Sequence, residues 1–144
     1  MHKVDVWIWT DSRYAKESKK CYAYSVEGTF RGRPYRKYGK IEEENPVDAT
    51  YNKITLLAIA EALERFHKNA EVTIHCENGW VLDMIDNRLM LWEGSDFYNS
   101  RNSKIENEAE WRRIAVKAHS LKLVTDRVGF DRCELLAKHA FAEE

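Results

Sequence analysis

Two apolar runs that each close on a carboxylate restrict this chain's fold more than any other feature. Val4 to Asp11 (VDVWIWTD) and Val72 to Glu77 (VTIHCE) are rich in β-branched and aromatic residues and free of Gly and Pro, as buried strands are. Side chains alternate faces along a strand, so Trp7 and Trp9 share a face with Asp11, and His75 shares one with Glu77. Glu134, near the start of a final helix, is a third carboxylate placed to join Asp11 and Glu77. Carboxylates gathered from separate elements cradle hard divalent cations such as Mg²⁺, which prefer oxygen ligands.

The intervening segments fill in a mixed α/β order. Ser12 to Lys20 reads as a polar turn, and Cys21 to Phe30 and Pro34 to Ile41 as strands joined through Arg31-Gly32-Arg33, giving an antiparallel meander. The acidic stretch Glu42 to Asp48, broken by Asn45-Pro46, reads as a surface loop. Thr50 is the expected N-cap of a helix reaching His67, with Ile54, Leu57 and Ala58 on its apolar face. After the second strand, Asn78-Gly79 allows a sharp exit into a helix carrying Trp80, Val81, Met84 and Ile85. Gly94 to Lys104 reads as an exposed loop, Glu108 to His119 as a helix, Leu121 to Thr125 as a strand and Arg132 to Ala142 as the last helix. The expected architecture is a five-stranded mixed sheet with helices on both faces, in a single domain over residues 1–144.

Composition narrows the function classes. No apolar run approaches the ~20 residues of a membrane span, and no basic and apolar leader precedes the first strand, so cytoplasmic residence is expected. Cys21, Cys76 and Cys133 are odd in number and far apart, which suits buried reduced thiols better than a disulfide frame or a zinc site. A net charge of −1 gives no global attraction to nucleic acid, yet residues 12–40 concentrate Arg13, Lys16, Lys19, Lys20, Arg31, Arg33, Arg36, Lys37 and Lys40 among aromatic residues. Such a segment meets a phosphate backbone or serves as a solvated, edge-protecting hairpin.

With this order in place, the chain resembles the ribonuclease H family, metal-dependent enzymes that cleave the RNA strand of an RNA/DNA hybrid. The resemblance rests on Ile8-Trp9-Thr10-Asp11, on Thr50-Tyr51-Asn52-Lys53-Ile54 with Leu56-Leu57-Ala58 and Glu61-Ala62-Leu63, and on His75-Cys76-Glu77-Asn78-Gly79-Trp80-Val81. Trp92, Trp111 and Asp131-Arg132-Cys133-Glu134-Leu135-Leu136-Ala137 extend it over nearly the whole chain. It implies that Asp11, Glu77 and Glu134 are catalytic and bind Mg²⁺ or Mn²⁺, with Asn52 on the nucleic acid; the rest of the grip falls to the basic segment, with Arg31, Arg33 and Arg36 as candidate contacts.

Several positions depart from the family pattern. Thr55 stands where the long helix should carry a glutamate, and Glu77 and Glu134 stand where aspartates are expected. An added methylene moves a carboxylate by roughly 1.5 Å, poorly tolerated by an ion that holds its ligands near 2.1 Å. Ser12-Arg13 replaces a Gly-Ser, Tyr51 replaces an asparagine, and Glu93-Gly94-Ser95-Asp96 replaces a basic protrusion. Val124 to Phe130 lacks the family's histidine-bearing loop, leaving Asp126 as a stand-in acid or a plain turn residue. The resemblance therefore implies an RNA/DNA hybrid or duplex nucleic acid as partner, with hydrolysis weakened or altered. The alternative is an inactive domain of the same fold that binds a protein or nucleic acid.

Overall fold

The computed structural model describes residues 2–66 and 69–134. Its elements are β1 (His2–Thr10), β2 (Ser18–Lys20), β3 (Tyr22–Phe30), β4 (Arg33–Lys40), β5 (Val47–Ala49), α1 (Tyr51–Leu63) and β6 (Ala70–Cys76), then α2 (Gly79–Asn87), α3 (Leu89–Gly94), α4 (Glu108–Ala118) and β7 (Lys122–Arg127). The main sheet is five-stranded and mixed, in the order β4-β3-β1-β6-β7. β1 runs antiparallel to β3 and parallel to β6, and β7 continues the parallel half.

Alternation along the central strands sets the layers. Val4, Val6 and Ile8 on β1 and Val72, Ile74 and Cys76 on β6 are buried on the face covered by α1. Because α1 is wedged between that sheet and α4, Ile54, Leu56, Ala58, Ile59, Ala60, Ala62 and Leu63 are all buried. Thr50 caps the helix as expected, its hydroxyl accepting from the Lys53 amide at 3.1 Å. Trp111 of α4 is fully buried, with Trp92 and Trp80 edge-on to it at 5.2 and 6.4 Å. On the opposite sheet face Trp9 packs with Ala23 and Tyr38, and the Arg132 guanidinium lies 5.2 Å over the Trp7 ring.

The structure moves several sequence-based boundaries. The β3–β4 turn uses only Arg31 and Gly32, both at positive φ (51° and 78°), and Arg33 already pairs with Phe30. Two left-handed residues match the twist of a tight hairpin, which the three-residue reading missed. The expected turn Ser12–Lys20 and loop Glu42–Asp48 contribute a second, two-stranded sheet, β2 with β5. Each of its strands is only three residues long, Ser-Lys-Lys and Val-Asp-Ala, too short to show a period in the sequence. A Lys19–Asp48 ion pair of 2.9 Å joins them, and the buried Lys20 Nζ donates to Ala49 O, Ser18 Oγ and Lys16 O.

Helix α1 stops at Leu63, short of His67, which lies outside the described residues. Residues 130–134 are helical, and the remainder of the expected Arg132–Ala142 helix, with Leu135, Leu136 and His139, also lies outside them.

Candidate functional site

Parallel pairing of β1 with β6 brings their C-terminal ends to the same edge of the fold. Asp11 follows the last residue of β1 and is exposed, its amide donating to Cys21 O at 3.1 Å. Glu77 follows β6, Thr55 sits in the second turn of α1, and Glu134 is half-buried in the 130–134 turn.

Both oxygens of Glu77 are engaged from within the chain. The Tyr51 hydroxyl donates to Oε2, and the Arg13 guanidinium lies 3.5 Å from Oε1. Burial, and then the hydrogen bond to Glu77, push the Tyr51 hydroxyl well above the ordinary phenol range, which keeps it a donor. Arg13 also rests on the Phe130 ring, 4.8 Å from its centroid.

Thr55 is 1% exposed, and its hydroxyl makes two hydrogen bonds. It donates to Tyr51 O at 2.8 Å and accepts from Asn78 Nδ2 at 3.3 Å. Asn78 caps α2 by accepting from the Val81 amide at 3.1 Å, and its amide group also donates to Asn52 Oδ1 at 2.9 Å. The Asn52–Asn78–Thr55–Tyr51–Glu77 chain therefore locks the start of α1 to the end of β6. Just beneath, Cys76 and Cys133 are buried, and burial raises their thiols to about 12 and about 11.

These residues do not fit the pair of divalent ions that the resemblance implies. Among the described residues no three His, Cys, Asp or Glu side chains converge as a ligand set. The cavity behind Glu77, lined by Tyr51, Thr55, Asn78 and Phe130, measures about 10 Å³, room for one water at most. A neutral hydroxyl in place of a carboxylate, already spent on two hydrogen bonds, adds no charge to hold a dication.

The other candidates fall into different places. Arg31 and Arg33 sit at the hairpin tip beside the start of β1, about 30 Å from Asp11 at ~3.3 Å per strand residue. Arg36 pairs with Glu27 at 3.1 Å. His75 lies flat on Trp7 with ring centroids 4.0 Å apart, and its nitrogens meet Asp5 at 2.7 Å and Asp126 at 2.8 Å. Packing and hydrogen bonding thus occupy His75, Asp126, Trp7 and Trp9 on the sheet face opposite α1. In the acidic protrusion Asp96 pairs with Arg112 at 2.9 Å, and Glu93 meets His119 Nε2 at 2.7 Å.

Arg13, Tyr51 and Asn78 are the residues sequence reasoning missed as a unit. Arg13 and Tyr51 stood out only as separate departures from a pattern, and Asn78 only as a turn former; the signal was that Arg13 and Tyr51 replace small or amide side chains at positions flanking one carboxylate.

No family model matches the chain. Over 100 residues it is 29% identical to a ribonuclease H of Parvibaculum lavamentivorans, a match spanning 65% of this chain and 67% of that protein. Its fold is similar, at a TM-score of 0.68 and 17% identity, to the crystal structure of LC9-RNase H1, a type 1 RNase H with the type 2 active-site motif, covering 100% of this chain and 74% of that one. The same TM-score, at 12% identity, relates it to the foamy viral protease-reverse transcriptase in complex with RNA/DNA hybrid, over 97% of this chain and 20% of that one.

Proposed function

We propose, from the premise that this chain is a ribonuclease H-like protein in fold and by its sequence relatives, that it binds an RNA/DNA hybrid or another duplex nucleic acid and hydrolyses it weakly. The observation that carries this reading is the placement of Asp11 and Glu77 at adjoining ends of the parallel β1–β6 pair, with Asn52 held beside them through Asn78. On this reading Asn52 serves the nucleic acid at that edge, while Thr55 and the lengthened Glu77 and Glu134 weaken the chemistry.

The hairpin cations Arg31 and Arg33 supply a second contact region. Their separation from Asp11, about 30 Å, is on the order of one duplex turn, so a helix laid along β1 reaches both ends. Arg36 of β4 pairs at 3.1 Å with Glu27 on the adjoining strand.

The inactive-module reading is favoured by one specific observation, the engagement of both Glu77 oxygens by Tyr51 and Arg13. A labelled hybrid assayed by anisotropy and by gel separates the two. Salt-dependent binding with slow Mg²⁺- or Mn²⁺-dependent cleavage that Asp11→Asn abolishes supports the weak enzyme. Binding without cleavage supports the module, and absence of binding at low salt rejects both as nucleic-acid readings.

A further inference from the structure

We propose that the Arg13 guanidinium holds the place of a divalent cation beside Glu77 and presents its free edge to a phosphate oxygen of the bound nucleic acid. The inference deepens the function proposed above and, in its second half, rests on it.

Three contacts define the arrangement. Arg13 Nη1 faces Glu77 Oε1 at 3.5 Å, and the guanidinium plane lies against Phe130. Glu77 Oε2 takes the Tyr51 hydroxyl, so neither oxygen is left to a metal without displacing a partner. Thr55 then donates to the Tyr51 carbonyl, which fixes the first turn of α1 in the orientation that delivers that hydroxyl. Four elements meet here: the loop after β1, the start of α1, the end of β6 and the 130–134 turn.

A guanidinium suits this position chemically. It stays charged at every accessible pH, stacks on an aromatic face, and carries five N–H donors in one plane. One edge turned to Glu77 leaves donors for a second anion, and guanidinium–phosphate pairs are commonly bidentate. The Arg13 side chain is 59% exposed, against 21% for Glu77, which leaves the guanidinium within reach of an anion from solvent. An ion bound at ~2.1 Å from either oxygen of Glu77 would instead meet Arg13 or Tyr51 there. The residues at positions 13, 51 and 55 therefore act together: a cation, a donor and a neutral hydroxyl occupy the surroundings of Glu77 where the family pattern calls for a metal ion.

Two measurements test this, one of them independent of nucleic acid. Mn²⁺ binding is titrated by calorimetry or electron paramagnetic resonance in the wild-type protein and in Arg13→Ser/Tyr51→Asn, with thermal melts to confirm folding. The double variant is expected to gain roughly tenfold in Mn²⁺ affinity over a weak wild-type baseline. Tight Mn²⁺ binding by the wild-type protein, or no gain in a folded variant, overturns the proposal.

Hybrid binding is then followed by anisotropy in EDTA and in Mg²⁺. Equal affinity in both is expected, with Arg13→Gln weakening binding and lowering the salt slope by about one phosphate contact. Binding that requires Mg²⁺, or an unchanged slope in Arg13→Gln, overturns it. Should the wild-type protein bind no nucleic acid at all, the function proposed above fails, and the phosphate contact with it. The Mn²⁺ titration still decides the place of Arg13.

Discussion

Tyr51 donates a hydrogen bond to Glu77 and thereby ties the first residue of α1 to the residue that follows β6. The bond has a pH signature. Burial and Glu77 raise the Tyr51 hydroxyl above its ordinary value of 10.0, and burial with Glu61 does the same for Tyr22. A group whose folded value is raised stabilises the fold fully below its unfolded value, and that stability is lost as pH rises past it. Stability is therefore expected to fall above pH 10, with Tyr51→Phe shallower in that limb. At neutral pH Tyr51→Phe should cost about 1–2 kcal/mol, read from urea midpoints, because one oxygen of a largely buried carboxylate loses its donor. Equal alkaline limbs in the two proteins would contradict this.

The thiols give a second prediction. Burial raises Cys76 to about 12 and Cys133 to about 11, and it raises Cys21 as well. The thiolate is the reactive form, so all three should resist a disulfide-exchange reagent at pH 8 in the native protein. Release of the three thiols only on unfolding is expected. Fast labelling of Cys133 in the native state would show that the region beneath Glu77 is open.

Gly39 tests the packing of the hairpin on the rest of the fold. A methyl group there would collide with the Tyr24 ring, and that ring is held by Arg65, whose Nε donates to the Tyr24 hydroxyl at 2.6 Å. The ring cannot retreat without breaking this bond, so Gly39→Ala should destabilise by about 1–3 kcal/mol in denaturant melts. A neutral effect would mean that Tyr24 moves freely.

Legibility of the sequence varied with the physics of each segment. The strands of the main sheet and the helices α1, α2 and α4 were readable because burial imposes an apolar period on Val4–Ile8, Val72–Cys76 and Ile54–Leu63. β2 and β5 escaped because cross-strand charge pairing and a buried, hydrogen-bonded Lys20 hold them, neither of which leaves an apolar pattern. At the candidate site, chain order placed Asp11 and Glu77 at one edge. It did not disclose that Arg13, Tyr51 and Thr55 touch one another's partners, since such coupling exists only once α1 is docked on β6. What looked like separate losses is one network.

The account turns on whether this edge binds nucleic acid through Arg13 in place of a metal. The most direct measurement is the affinity of the wild-type protein for a labelled RNA/DNA hybrid, with strand integrity followed in the same samples, in EDTA and in millimolar Mg²⁺. The account predicts salt-dependent binding of equal strength in both and little or no cleavage. Binding that appears only with Mg²⁺, accompanied by rapid cleavage that Asp11→Asn abolishes, would contradict it.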